Sequence, residues 1–225
     1  MSFVYEERAP DSPLVRTIWH TRSESDGVYT AAADGCWDLL LIKQDATTNV
    51  WLAGPTSRAT PIRYVEGSEY FAIRFQLGTF LPHIPISQMA DRTILLPKVG
   101  KPSFWLGDSA WHLPTYDNVE TFVAQLARRD LLLRDNVVVD ALSRGHTPAF
   151  SIRSVQRHFL RATGLTQNGI RQIERAHLAV ELLQQGTPIL TVVHETGYSD
   201  QPHLTKSLKH FIGQTPAQIL CASKP

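Results

Sequence analysis

Hydrophobic and polar residues alternate along the first half of the chain. The clearest case is 69–77, where Phe71, Ile73 and Phe75 fall on one face and Tyr70 and Arg74 on the other, as in a half-buried strand. We predict further strands at 15–20, 28–32, 37–43, 49–52 and 103–106. A hairpin is predicted where 61–66 leads through Gly67-Ser68 into 69–77. Short antiparallel strands separated by turn residues favour a sandwich or small barrel.

From about residue 117 the apolar residues recur at spacings of three and four, which indicates helices. Residues 117–142 are predicted to be helical from a cap at Asp117 or Asn118. Ser151 can cap a helix that runs to about residue 162, with Ile152, Val155 and Phe159 on one buried face. Thr166 opens a long helix to about residue 185, and Thr187 caps the next one. A last short helix begins at Thr215-Pro216.

A helix over 188–196, a bend at Gly197 and a second helix over 201–211, capped by Asp200, predict a helix-turn-helix. In that motif the second helix lies in the major groove, and its exposed first turns carry polar side chains that reach base edges. The residues in this position are Gln201, Pro202, His203, Thr205 and Lys206. An ordinary amphipathic surface helix is the alternative, but the cap, the bend and the preceding helix favour DNA binding.

Charge is distributed unevenly along the 225 residues. Residues 143–225 carry nine Lys and Arg against four Asp and Glu, hence +5, whereas residues 1–142 carry thirteen against seventeen, hence −4. Six of the nine histidines also fall in 143–225. A solvated helical surface would explain this charge, and so would an anionic partner.

Other classes of protein find little support in the sequence. No apolar stretch is long enough to span a membrane, and the first thirty residues lack a signal pattern, so we expect a cytoplasmic protein without a membrane partner. Cys36 and Cys221 have no metal or redox spacing and are interpreted as small buried residues.

Residues Ser151-x-x-x-Val-Gln-Arg-x-Phe159, Gly164-Leu-Thr, Arg175-Ala176, Leu182-Leu183, Gly197-Tyr198-Ser-Asp200-Gln201, Leu204, Phe211, Gly213 and Thr215-Pro216 follow a family pattern. With them, 151–220 resembles the DNA-binding domain of AraC/XylS-type transcriptional regulators. The resemblance implies two helix-turn-helix units, joined by a long helix, that place their second helices in successive major grooves of promoter DNA. By position, the resemblance makes Arg153, Gln156 and Arg157 the base and phosphate readers of the first unit. The corresponding residues of the second unit are Gln201, Pro202, His203, Thr205 and Lys206.

The sequence departs from the family pattern before Ser151. Only residues 143–150 separate the apolar run 137–142 from Ser151. This segment is too short to contain the bracing helix and its turns. Two interpretations remain open. Either 131–142 serve as the brace of the first unit, or that unit is incomplete and DNA binding is weak unless dimerisation compensates.

The segments Asp34-Gly35-Cys36-Trp37-Asp38-Leu39-Leu40, Ala53-Gly54-Pro55 and Ala72-Ile73-Arg74-Phe75 resemble the cupin-like sensory domains fused to such regulators. This resemblance implies a pocket for a small-molecule effector, with candidate lining at Trp37, Trp51, Tyr70 and Arg74; Trp105 and Trp111 are further candidates. A β-sandwich filled only by its own side chains is the alternative.

Enzyme activity is the main competing function, because cupin-like barrels often hold a catalytic metal. His20, His83 and His112 are isolated and no His-x-His occurs, so we predict no catalytic residues, no metal and no cofactor. A second competing function is a ligand-binding or protein-binding module with impaired DNA binding.

Together these patterns predict an α+β protein, with an antiparallel cupin-like β-sandwich or barrel followed by an all-α helix-turn-helix domain. The predicted divisions are 1–115 for the sensory domain, 116–142 for linking or dimerisation helices and 143–225 for the DNA-binding domain. Helix 117–129 either forms a homodimer surface or covers its own β domain. The function expected is a sequence-specific transcriptional regulator that responds to an effector, with RNA polymerase as a further candidate partner.

Overall fold

The computed structural model describes residues 3–100, 102–144 and 150–222. The strands in these ranges are β1 (Phe3–Arg8), β2 (Val15–Ser23), β3 (Gly27–Ala31), β4 (Asp38–Gln44), β5 (Thr47–Ala53), β6 (Thr60–Tyr64), β7 (Glu69–Phe75), β8 (Thr79–Phe80), β9 (Thr93–Leu95), β10 (Ser103–Leu106), β11 (Ser109–His112) and β12 (Leu133–Arg134). The helices are α1 (Val119–Arg128), α2 (Asn136–Arg144), α3 (Ile152–Thr163), α4 (Gln167–Gln184), α5 (Ile189–Glu195), α6 (Gln201–Phe211) and α7 (Pro216–Ala222), with one 3₁₀ turn at Ile86–Gln88. The predicted order of an antiparallel β region followed by a helical region is confirmed.

The main sheet has the strand order β1-β2-β7-β4-β5-β9, and its neighbouring strands are all antiparallel. Because side chains alternate between the faces of a strand, Ile73 and Phe75 enter the core while Arg74 lies on the opposite face. Leu39 on β4 and Leu52 on β5 are fully buried in the same core. The alternation that predicted the strands therefore also marks the face that is buried.

Helix α1 closes this core. Its apolar residues Val119, Phe122, Val123 and Leu126 are buried among the side chains of the sheet. Glu120 forms an ion pair with Arg8 of β1 at 2.6 Å. Of the two roles considered for 117–129, this face covers the protein's own β region and is not free to form a dimer.

The predicted hairpin through Gly67-Ser68 is wrong. Strand β6 pairs with β3, with Thr60 opposite Ala31, whereas β7 pairs with β2 and β4. Gly67 does adopt a positive φ of 74°, so the turn residue was identified correctly. The partners of β6 and β7 are strands distant in sequence, so the turn signal between them did not reveal the pairing.

Residues 117–142 are not helical throughout. Helix α1 ends at Arg128, and the short strand β12 pairs with β8 before α2 begins. Asp130, between α1 and β12, has a left-handed φ of 55°, and a right-handed helix cannot continue through a residue in that conformation. The apolar spacing of three and four was correct within each helix, but it does not reveal the break.

Side-chain caps define where helices α3 and α4 begin. Ser151 accepts a hydrogen bond from the Ser154 amide, and Thr166 accepts one from the Gly169 amide. Both caps confirm the predicted starts of α3 and α4. The cap predicted at Thr187 is wrong, because Pro188 occupies that position without a side-chain hydrogen bond.

Two further predictions about burial need correction. Cys36 is buried, and burial raises the pKa of its thiol to about 12, but Cys221 is exposed. Ile152 is 79% exposed although Val155 and Phe159 of the same predicted face are buried. Ile152 is the first residue of α3, so it lies beyond the surface that the helix buries. Among the described residues, no helix combines sufficient length and apolar character to cross a bilayer.

Candidate nucleic-acid interface

Helices α5 and α6 form the predicted helix-turn-helix. Val192 of α5 and both Leu204 and Leu208 of α6 are fully buried in one cluster with residues of α4. Gly197 bends the chain between the two helices with a φ of 71°, which glycine adopts without steric cost. The Tyr198 hydroxyl, which is 2.8 Å from the Ser207 Oγ, ties this turn to α6.

The first turn of α6 is held open to solvent. The Asp200 Oδ1 accepts a hydrogen bond of 2.7 Å from the His203 amide. This hydrogen bond, with a smaller contribution from Ser199, lowers the pKa of the Asp200 carboxyl. The cap satisfies a helix N–H that would otherwise need water, and so it stabilises the start of the helix. The exposed polar residues that follow therefore project from an ordered first turn.

The structure brings together the residues predicted for the second unit. Gln201, Pro202, His203 and Lys206 are exposed on α6, and Thr205 is half-buried. The ring of His203 stands edge-on against the ring of Tyr198, with centroids 5.1 Å apart. Its Nδ1 is also 3.1 Å from the Ser199 Oγ, so this histidine has a defined position.

Helix α3 is supported on one side by buried contacts. Arg153, Gln156 and Arg157 are exposed on α3, while Val155 and Phe159 are buried on its other side. That buried side packs in one cluster with Val137, Val138 and Ala141 of α2 and with Phe80 and Ile86 of the β region. Helix α2 therefore packs against α3, which is the role that the sequence left open for a brace within 131–142. The rest of the short connection, 145–149, lies outside the described residues.

The candidate effector residues do not form one group. Trp37 lies in the core, where its ring stacks on Phe75 at a centroid distance of 3.9 Å and its Nε1 donates to the Thr79 carbonyl at 2.7 Å. By strand alternation, Trp51, Tyr70 and Arg74 lie on the other face of the main sheet. Trp37 is thus separated from the other three by the sheet itself.

Arg74 is engaged by two carboxylates on that face. Its Nε and Nη2 donate to the two oxygens of Asp38 at 2.9 and 2.8 Å. Its Nη1 lies 3.1 Å from an oxygen of Asp34. Burial raises the pKa of Asp38, and Arg74 acts in the opposite direction. Within the described residues, no group of three or more His, Cys, Asp or Glu side chains is arranged to hold a metal ion.

The sequence did not single out Asp135, His158 and Arg161, which meet on one flank of α3. Asp135 directly precedes a helix, and that is the one local signal that could have drawn attention to it. The convergence of the three side chains arises from residues 23 and 26 positions apart.

Helices α3 and α6 are capped and present polar side chains on packed supports, as the second helices of helix-turn-helix units do. Residues 149–220 match the family model described as a helix-turn-helix domain, which is of the AraC type. The C-terminal part of this chain is therefore an AraC-type helix-turn-helix domain.

Two further comparisons add little to this assignment. No curated protein matches the chain. Among solved structures, ToxT from Vibrio cholerae matches with 9% sequence identity and a TM-score of 0.39, over 96% of this chain and 98% of that one. Such a score is too low to define a shared fold.

Proposed function

We propose that this protein is a sequence-specific DNA-binding transcriptional regulator of the AraC/XylS type, in which α3 and α6 enter successive major grooves of promoter DNA. The observation that carries the proposal is the capped start of α6, with Gln201 exposed in its first turn and Lys206 exposed in its second. Glutamine pairs with adenine through two hydrogen bonds, and lysine neutralises a phosphate. We assign Gln201 to base reading and Lys206 to backbone binding.

The distribution of charge supports the same assignment. The net charge of +5 over 143–225 lies in the part of the chain that carries both reading helices. Exposed cations such as Arg153, Arg157 and Lys206 displace counterions from duplex DNA, so affinity falls steeply as salt rises. A binding module without DNA function would show no such dependence.

Selection of bound sequences from a random duplex pool tests the proposal. The unaltered protein should enrich a defined sequence. Gln201→Ala should relax one base position by about 1–3 kcal/mol, while Lys206→Ala should weaken all duplexes alike. Gln184→Ala and Lys98→Ala, which alter exposed residues outside the reading helices, serve as matched controls. Equal recovery of every sequence by the unaltered protein would overturn the assignment.

We also propose that the cupin-like β region senses a small-molecule effector on the face that carries Trp51, Tyr70 and Arg74. The support is the half-buried state of all three residues on one side of the main sheet. A panel of small organic molecules, screened by thermal shift, should contain ligands whose effect is lost in Trp51→Ala. Ligands that act equally on that variant would place the sensor elsewhere.

Two further partners belong to this proposal. A homodimer would let two copies read adjacent sites, and RNA polymerase is the partner through which a bound regulator acts. The surface of α1 that faces the sheet is buried, so another surface must serve in a dimer. Sedimentation with and without duplex DNA measures the stoichiometry.

A further inference from the structure

Asp135 is a buried carboxylate between the β region and the first reading helix. Only 4% of its surface is exposed. Its amide donates to the Gly78 carbonyl at 2.7 Å, which anchors the residue to the end of the β region. It directly precedes α2 and contacts α3, so it lies where the β region, α2 and α3 meet.

Both oxygens of this carboxylate are used. The Oδ1 accepts hydrogen bonds from the amides of Val137 and Val138 at 3.1 and 3.4 Å, in the manner of a helix cap. The Oδ2 accepts one from Arg161 Nη2 at 2.6 Å and lies 2.7 Å from His158 Nδ1. A single side chain therefore joins the start of α2 to the flank of α3.

The position of these contacts on α3 gives them a specific effect. His158 and Arg161 are three residues apart and share one flank of the helix. Arg153, Gln156 and Arg157 lie on the exposed side. Since each residue turns a helix by about 100°, holding the flank at two points fixes the direction in which the exposed residues point.

The remaining support of α3 is apolar. Val155 and Phe159 pack against α2 and against Phe80 and Ile86. Apolar packing is non-directional, whereas hydrogen bonds that involve charged groups have strict geometry. The apolar cluster thus holds α3 against the protein, and the contacts of Asp135 define its rotation.

The protonation state is consistent with this arrangement. Burial raises the pKa of Asp135, but hydrogen bonds from His158 and Arg161 outweigh it, so the pKa lies below its ordinary value. The carboxylate is therefore ionised at neutral pH. Arg161 also stacks over the ring of Phe80 at 5.0 Å, which limits the movement of its guanidinium.

We propose that Asp135 is the positioning residue of the first reading helix, and that the base preference of α3 depends on this carboxylate although it does not touch DNA. The inference rests on the proposed function. It also accounts for the short connection before Ser151, because a carboxylate, α2 and the β region together replace the bracing helix of the family pattern.

Selection from the random duplex pool with Asp135→Asn tests the proposal. The bases read by α3, identified by Arg153→Ala and Gln156→Ala, should lose preference on the order of tenfold. The bases read by α6, identified by Gln201→Ala, should keep theirs. Asp140→Asn, which makes the same change of charge in α2, is the matched control and should leave both half-sites unchanged.

A second pair of variants removes the ambiguity of a folding defect. Arg161 is 58% exposed at its side chain, so Arg161→Gln should fold, and it should relax the same half-site as Asp135→Asn. Arg161→Lys, which can still donate to Asp135, should restore part of the preference. Loss of thermal stability with both half-site preferences intact would reduce Asp135 to a structural role and overturn the proposal.

Hydrogen exchange of the DNA-free protein separates this proposal from the proposed function. In Asp135→Asn the amides of α3 should exchange faster, whereas those of α6 should not. This outcome can hold even if the protein selects no DNA sequence, in which case only the regulatory function fails. Unchanged exchange in α3 would contradict the positioning role directly.

Discussion

The backbone amide of Ala33 donates a hydrogen bond of 2.7 Å to the carbonyl of Phe211. His177 Nε2 donates to the Ala33 carbonyl at 2.6 Å, and the Ala59 amide donates to the His210 carbonyl at 2.8 Å. The last carbonyls of a helix have no hydrogen-bond donor within the helix. Here two amides from loops of the β region donate to the last two carbonyls of α6. Helix α6 thus ends on the β region, while its first turn is exposed to solvent.

This contact predicts that Gly213 is sensitive to substitution. Its φ is 83°, and an added Cβ would lie 2.6 Å from Cγ2 of Thr30. Gly213→Ala should therefore cost more than the roughly 1–2 kcal/mol of a left-handed alanine. Gly186→Ala is the matched control, because Gly186 has a φ of 84° with nothing within 4 Å of the added atom. Urea unfolding measures both, and equal losses would show that the contact with Thr30 is unimportant.

Removal of the Asp200 cap should lower the affinity for DNA and the stability of α6. Asp200→Ala leaves the His203 amide, now bonded at 2.7 Å, without its acceptor. Asp200→Ser supplies another oxygen and should retain most of the affinity. Duplex binding and thermal unfolding of the two variants provide the measurement. An alanine variant that binds DNA as tightly as the serine variant would show that the cap does not orient the reading residues.

The pKa of the Asp135 carboxyl is lowered in the folded protein, so part of the free energy of unfolding should be lost in acid. A carboxyl whose pKa is lower in the folded state stabilises the fold above its unfolded pKa, about 3.9, and loses this contribution as the pH falls through the folded value. The free energy of unfolding should consequently fall less steeply in Asp135→Asn than in the unaltered protein below about pH 5. Urea unfolding across this range tests it, with Asp140→Asn as the control that should keep the steep dependence.

Loss of Arg74 should destabilise the β region strongly. Arg74→Leu would leave Asp38, 13% exposed, and Asp34, 16% exposed, without their shared cation, and such a loss costs about 3 kcal/mol or more. Arg63→Leu, at an exposed position of β6, should have little effect. Chemical unfolding distinguishes the two. A small loss in Arg74→Leu would mean that the carboxylates are well solvated and that Arg74 is free to serve a ligand.

The second helix-turn-helix was predictable because its signals are local. Asp200 accepts from an amide three residues later, and Gly197 forms a bend within its own turn, so the neighbouring sequence contains everything that defines them. The alternation along β7 likewise identified which side chains enter the core. The exposure of Ile152 was missed because helical spacing does not show where the supporting surface ends.

Contacts between distant residues had no such signal. The pairing of β6 with β3, the break before β12 and the separation of Trp37 from Arg74 all depend on how the sheet is assembled. The meeting of Asp135 with His158 and Arg161 depends on the packing of α3 against α2. By itself the sequence determined the caps at Ser151, Thr166 and Asp200, the periodicities and the family of the C-terminal domain, since these arise within a few turns of chain. The tertiary structure alone decided what supports α3 and α6, because that support comes from residues that only folding brings together.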